Sequence, residues 1–349
     1  MVQTEDWERN KVFASANRAD GFHSDFEAVF SEVGRRILLK GGPGTGKSSF
    51  LRAVAEAAEK RGMAAERFAC SSDPSSLDGV IIPALDLALV DATAPHEMSP
   101  RLPGAADELL DFGQFWDRKQ LAGRRAEIES LCERKASGYR TALLGLAQEG
   151  ALLGEGLRRL EGLLLRERMA AAVSRLGAFP VKKRAAVGQQ RSRTILSPGM
   201  RGTVLLRGLE GQAAEIRCVS PFYGSEFLFL EELRCQALAA GQAVTVSYDP
   251  LLPRYPNAVY LEESRRLFLV GNSDGGVNLR RFFEAADVAK LRPLLRTIRQ
   301  CRKPLRAVSE AGFAEMREAH FALEKIYGAA MDFTAKERFQ QDYLASLFA

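Results

Sequence analysis

Short apolar runs and one helical period organise the first hundred residues. Arg35-Arg36-Ile37-Leu38-Leu39-Lys40 predicts a strand, Glu66–Ala69 a second and Leu87–Val90 a third. Between the first two, Ser49–Lys60 places apolar residues three and four apart and predicts a helix, with Gly62 just beyond its end. A Pro- and Gly-bearing loop from Pro95 to Gly104 follows, and then the pattern changes. Phe115–Leu131 and Tyr139–Leu176 carry Leu and Ile at helical spacing with Arg and Glu between, which predicts long amphipathic helices. Gly138, Gly150 and Gly154 are expected to break this stretch into a hairpin. The tail reads alike: Phe282–Gln300, a break near Pro304, Phe313–Ala329 and Ala335–Phe348.

The chain also repeats itself at an offset near 178. Ser72-Asp73-Pro74, Val80 and Leu87–Val90 match Tyr248-Asp249-Pro250, Val259 and the strand Leu267–Val270. Phe112-Gly113-Gln114-Phe115-Trp116 resembles Leu279-Arg280-Arg281-Phe282-Phe283, and Pro43 and Gly46 fall on Pro221 and Gly224. The expected organisation is a domain over residues 1–185 with a helical extension and a related one over 190–349.

The chemistry lies between the first strand and the first helix, in Gly41-Gly42-Pro43-Gly44-Thr45-Gly46-Lys47-Ser48. A triphosphate needs many donors in a small space. Glycines let main-chain N–H groups approach phosphate oxygens, and a helix start adds partial positive charge. In such a loop Lys47 reaches the β- and γ-phosphates and the Ser48 hydroxyl ligates Mg²⁺. Candidate nucleotide contacts are therefore Gly41, Gly42, Gly44, Thr45, Gly46, Lys47, Ser48 and Ser49.

A phosphate loop needs an acidic strand end near the metal, and Leu87–Val90 runs into Asp91. Candidate metal ligands are Ser48 and Asp91. Ala92 follows Asp91, so the water-polarising glutamate found there in many ATPases is absent. His96, Asp73 and Asp78 are the nearby polar candidates. Asp78-Gly79 reads better as a turn pair, while Asp73 and His96 stay open as catalytic groups alongside Lys47 and Asp91. In the second repeat Lys47 falls on Ser225, Ser48 on Glu226 and Asp91 on Gly271, so the phosphate cation and both metal ligands are lost together. Glu226 would also repel phosphate. Arg118, Arg124 and Arg125 on the helical segment could serve as arginine fingers.

Composition narrows the rest. With 46% hydrophobic and 27% charged residues the chain reads as a soluble globular protein. No apolar run reaches 18 residues and Met1–Asp6 is not a signal start, so the expectation is a cytoplasmic protein without a membrane span. Five scattered cysteines, none in a CxxC pair, and three histidines disfavour a disulfide framework or a zinc site. The net charge is +5, with basic clusters at Lys182-Lys183-Arg184 and Arg191–Arg193. A solvated linker explains these better than nucleic-acid binding, since no aromatics are interleaved.

Gly41–Ser48 in this setting resembles the P-loop NTPases. Ser71-Ser72-Asp73-Pro74-Ser75-Ser76-Leu77-Asp78-Gly79-Val80-Ile81-Ile82-Pro83, running into Val90-Asp91-Ala92-Thr93-Ala94-Pro95-His96, is similar to a group of bacterial ATPase-like proteins built from two P-loop-type halves. The resemblance covers most of the first half and the second half weakly. It implies an α/β fold: a P-loop NTPase three-layer sandwich with a mostly parallel sheet, duplicated, plus long helical segments. Members of that group often carry Gly where this chain has Ala92, and their second half can carry a P-loop that is missing here.

The expected function is binding of ATP with Mg²⁺ and its hydrolysis at one N-terminal site. ATP rather than GTP rests on prevalence and on the lack of an Asn-Lys-x-Asp signature. The C-terminal half would be regulatory, or would bind a protein partner or a second copy. Two rivals stand beside this. One is a small-molecule phosphotransferase with its acceptor at Ser71–Gly79 and Asp73 as base. The other is a nucleotide-gated interaction module with little turnover.

Overall fold

The computed structural model describes residues 10–179 and 187–349. In chain order the first half forms β1 (Lys11–Phe13), β2 (Ser15–Arg18), β3 (Gly21–Ser24), α1 (Phe26–Phe30), β4 (Arg35–Lys40), α2 (Lys47–Glu59), β5 (Glu66–Ala69), β6 (Leu77–Ile82), β7 (Leu87–Asp91), β8 (Asp107–Asp111), α3 (Arg118–Gly123), α4 (Arg125–Glu161) and α5 (Arg166–Gly177). The second half forms β9 (Gln190–Ser192), β10 (Leu196–Gly199), β11 (Gly202–Leu205), α6 (Gly208–Gln212), β12 (Glu215–Val219), α7 (Ser225–Ala239), β13 (Val244–Tyr248), β14 (Pro256–Leu261), β15 (Arg266–Val270), α8 (Ala285–Ala329) and α9 (Phe333–Leu347).

The expected mostly parallel sheet gives way to two mixed ones. A six-stranded sheet runs β1-β5-β6-β7-β4-β8 and a five-stranded sheet β12-β15-β14-β13-β9. β4 lies parallel to β7 and β8, but β5, β6 and β7 form an antiparallel meander. Pro83–Asp86, the link between β6 and β7, is too short for the crossover that a parallel pair requires. The two sheets share one plan. Read as β9-β13-β14-β15-β12, the second sheet matches β1-β5-β6-β7-β4 in order and in the direction of every pair. A helix follows the last strand of each series, α2 after β4 and α7 after β12.

Alternation along the strands sets the layers. Leu38 of β4 enters a core shared with Phe26, Phe30 and Val90 and, from the other sheet, Ala258, Leu267 and Leu269. Its neighbours Ile37 and Leu39 turn the opposite way, onto Phe50, Leu51 and Val54 of α2. In β15, Leu267 and Leu269 face the first sheet, while Phe268 faces Phe229, Leu230 and Leu233 of α7. The order is helix, sheet, sheet, helix. Each fully buried leucine in these layers stabilises by about 1.5–3 kcal/mol.

The outer helices are exchanged between halves. Phe339, Tyr343 and Leu347 of α9 pack on the first-sheet core, and Met169, Ala172 and Val173 of α5 on the second. The 185–190 boundary thus divides the two sheets but not the cores that cover them. Two helix breaks expected from the sequence do not occur. α4 runs through Gly138, Gly150 and Gly154, and α8 through Pro293 and Pro304. The glycines mark close approach instead: a Cβ at Gly138 would lie 2.7 Å from the Gly312 carbonyl oxygen of α8. Ser309 donates to the Ala142 carbonyl at 2.7 Å across the same seam.

Polar contacts tie the halves together. Arg193, expected in a solvated linker, is buried and pairs with Glu32 and Glu66 at 2.7 Å each. Arg191 lies in β9. Lys182, Lys183 and Arg184 fall outside the described residues. Among the described residues no helix is long and apolar enough to cross a membrane.

The end of the first sheet carries a buried ion pair. Arg36 of β4 and Asp107 of β8 face each other in register, joined by two hydrogen bonds of 2.9 and 2.8 Å. Both side chains are almost fully buried. The Arg36 guanidinium holds the Asp107 carboxyl well below the usual carboxylate range. Asp107→Asn leaves the buried Arg36 with only the exposed Glu27 at 3.3 Å, so it is expected to cost about 3 kcal/mol of unfolding free energy at neutral pH. Because the folded-state value is depressed, the contribution is complete above the unfolded value near 4 and is lost as pH falls below it. Urea unfolding at pH 7 and pH 3 should show the gap between wild type and variant narrowing on acidification; an equal gap at both would refute it.

Candidate functional site

β4 ends at Lys40 and delivers the chain into a glycine loop that α2 closes. Gly46 caps α2 in the left-handed region, at φ 81°. Gly44 is also left-handed, at φ 70°, and a Cβ there would lie 2.6 Å from the Glu324 carbonyl oxygen of α8. Both geometries require glycine. The rings of Trp116 and Tyr327 lie against Gly42. The loop is thus braced from outside by the last turns of α8.

Lys47 opens α2 and is buried. Its Nζ donates to the Gly41 and Gly42 carbonyls at 2.7 and 2.8 Å and lies 3.5 Å from Asp91 Oδ2. Thr45 Oγ1 donates to the Gly42 carbonyl at 2.9 Å. Ser48 Oγ accepts from the Leu77 amide at 2.9 Å, beside Asp78. Ser49 Oγ donates to the Gly46 carbonyl at 2.7 Å.

Asp91 arrives on β7, the parallel neighbour of β4, opposite Leu39. Its Oδ1 accepts from the Thr93 amide and hydroxyl at 3.1 and 2.6 Å, leaving Oδ2 toward Lys47. Asp78, read from the sequence as a turn residue, lies in β6 and is buried. Asp78, Asp91 and His96 each offer a ligand atom within 4.8 Å of the others. His96 Nε2 is 3.9 Å from Asp78 Oδ2, and its ring stacks on Phe26 at 4.1 Å. Asp78 Oδ2 and His96 Nδ1 are buried without a hydrogen-bond partner. Burial, then the charge of Asp91, pushes the Asp78 carboxyl well above its ordinary value. Burial likewise lowers the His96 imidazole to about 4, so it is neutral at neutral pH.

Asp73 is not part of this cluster. Arg201 of the other half holds it at 2.6 Å, and Ser75 donates to it at 2.7 Å. Burial raises its carboxyl, but these bonds outweigh burial and keep it below the ordinary value, which ill suits a general base. Two of the three arginines expected as fingers are also engaged: Arg124 and Arg125 pair with Glu127 and Glu129 on the solvent face, while Arg118 opens α3 and is exposed.

Two lysines that the sequence did not single out lie near the loop. Lys135 of α4 interacts electrostatically with Cys70, Cys132, Glu324 and Lys47, and burial lowers its ammonium below the usual lysine value. Lys336 of α9 is buried and donates to Ser49 Oγ at 3.2 Å. Neither has a local signature. Lys336 reaches the loop through helix exchange, which no sequence period encodes.

The second half builds a different loop at the matching place. In the ladder, Val270 stands opposite Val219 as Asp91 stands opposite Leu39, one residue before the Gly271 expected from the sequence match. Gly224 is left-handed at φ 95° and caps α7, but comes five residues after Val219, where Gly46 comes seven after Leu39. Glu226, at the position of Ser48, folds back so that its Oε2 accepts from the Phe222 and Gly224 amides at 2.7 and 3.1 Å. The anion-binding amides of this loop are filled by the chain's own carboxylate.

Comparison with protein-family models, curated proteins and solved structures finds no match for this chain.

Gly44→Ala should force φ out of its well and collide with α8. The expected loss is about 1–3 kcal/mol of stability by denaturant unfolding. A loss under half a kcal/mol (roughly the cost of an unconstrained surface change) would show that α8 does not brace the loop.

Proposed function

We propose that the chain binds a nucleoside triphosphate with Mg²⁺ at Gly41–Ser48 and hydrolyses it slowly, with ATP as the substrate. One observation carries this reading: strand, glycine loop and helix bring the Lys47 ammonium to 3.5 Å from an aspartate on the adjacent parallel strand. A cation beside loop amides at a helix start suits a chain of phosphates. The oxygen donors suit a hard dication: the Ser48 hydroxyl, Asp91, and the unpartnered buried oxygen of Asp78. When bound, Mg²⁺ supplies charge neutralisation on the phosphate oxygens.

The protein's own residues do the rest. Lys47 leaves the Gly41 and Gly42 carbonyls to meet the terminal phosphates, and Lys135 adds a second cation from α4. Asp91 stays oriented by Thr93. His96 is the candidate water-orienting group on its position beside Asp78 and Asp91. The second half, with Glu226 in its loop, is a duplicated copy that no longer takes a triphosphate there and serves as a regulatory or partner-binding lobe. The phosphotransferase alternative loses its base, because Asp73 is held by Arg201. A nucleotide-gated module with little turnover keeps one specific support, the alanine after Asp91.

Calorimetry with ATP and MgCl₂ should give one site per chain. Lys47→Ala should weaken it by about 10- to 100-fold, the worth of hydrogen bonds to a charged group. Phosphate release should fall with Asp91→Asn and with His96→Ala. Binding without release in the wild type would select the gated module; no binding would end the proposal.

A further inference from the structure

A sizeable concavity lies away from the glycine loop of the first half. It opens at the matching loop of the second, with a volume of about 700 Å³, between Pro221–Gly224, α4 and the first five turns of α8. Its wall on α8 follows helical spacing: Val288, Arg292, Leu295, Arg299 and Arg302 recur every three or four residues, so one face alternates apolar and guanidinium groups. Phe222, Phe283, Leu295 and Ile298 give the apolar floor.

The charges within it are unequal. Arg302 is neutralised by Glu149 at 3.0 Å. Glu226 is consumed by the loop amides, and Asp249 accepts from the Leu251 and Leu252 amides at 2.9 Å each. Among the described residues, Arg292, Arg296 and Arg299 show no carboxylate partner. Arg280 lies over the Phe222 ring at 5.8 Å. Guanidinium groups are matched to phosphate oxygens by shape as well as charge.

From this geometry we infer that the second lobe is a binding site for an organic phosphate monoester with a flat apolar body, gripped by Arg292, Arg296 and Arg299 and laid on Phe222 and Phe283. The ligand's phosphate goes to the arginine row of α8, because the helix N-terminus that would otherwise receive it is closed by Glu226. The site is separate from Lys47 and independent of the nucleotide reading.

The probe is 1-naphthyl phosphate, titrated calorimetrically into the full chain. One saturable site is expected, with inorganic phosphate and 1-naphthol each binding at least about tenfold more weakly, since each lacks half of the recognised groups. The double variant Arg296→Ala and Arg299→Ala alters exposed positions, so the fold should survive, as circular dichroism would confirm. Its affinity should fall about tenfold or more, whereas Lys47→Ala should leave binding in place. No saturable uptake by wild type, uptake unaffected by the double variant, or uptake abolished by Lys47→Ala would each overturn the inference. So would competition by a single-stranded oligonucleotide whose own binding needs the same arginines while naphthyl phosphate is not retained.

Discussion

The seam between α4 and α8 is the constraint on which the rest depends. The two backbones meet at Gly138 and Gly312, where a single added Cβ would have no room. Close approach fixes the relative height of the helices, and each helix end then braces a loop in the other half. The α8 backbone at Glu324 closes on Gly44, and Leu153 and Leu157 of α4 close on Gly224. A lateral shift along this seam would therefore move both loops at once. That mechanical link exists before any ligand is considered and joins the lobes through packing, alongside the ion pairs of Arg193 and Arg201.

Legibility in the sequence followed range of interaction. β4 and β5 were readable to the residue, and α2 to within two, because apolar alternation and glycine punctuation are local signals. The meander escaped notice because the sign of strand pairing depends on connection length, and Asp78-Gly79 looked like a turn. In fact Asp78 lies buried inside β6, where burial and the charge of Asp91 push its carboxyl well above its ordinary value. Pro304 and Gly154 misled in the opposite sense. Both are helix breakers by propensity, yet a partner helix along the whole length outweighs a local penalty of about 1–3 kcal/mol. Lys336 and the brace at Glu324 were invisible for a third reason: they reach the site only because helices of the second half pack against the first.

The same fold plan carries opposite electrostatics at its two loops. In the first, position 48 is a hydroxyl that satisfies the Leu77 amide and leaves the loop amides to other partners. In the second, Glu226 is one carbon chain longer and charged, and it occupies two of the amides itself. Burial raises the Glu226 carboxyl while those amide bonds oppose the rise. The Phe222 and Gly224 amides hold the carboxylate at 2.7 and 3.1 Å.

The second loop carries no cation at the position matching Lys47. Placing a lysine at Ser225 next to Glu226 would create an internal ion pair in the loop, and Ser225 instead donates its hydroxyl to the Phe222 carbonyl at 2.8 Å. A loop that is two residues shorter has less room for phosphate, and a bound carboxylate removes what remains. The positive charge of this lobe moves outward, from the loop to the helix face at Arg292, Arg296 and Arg299, where it borders a cavity instead of a nest. Across the two loops, Glu226 stands where the first has Ser48 and Ser225 where it has Lys47, and helix periodicity sets where the arginines of the second lobe stand.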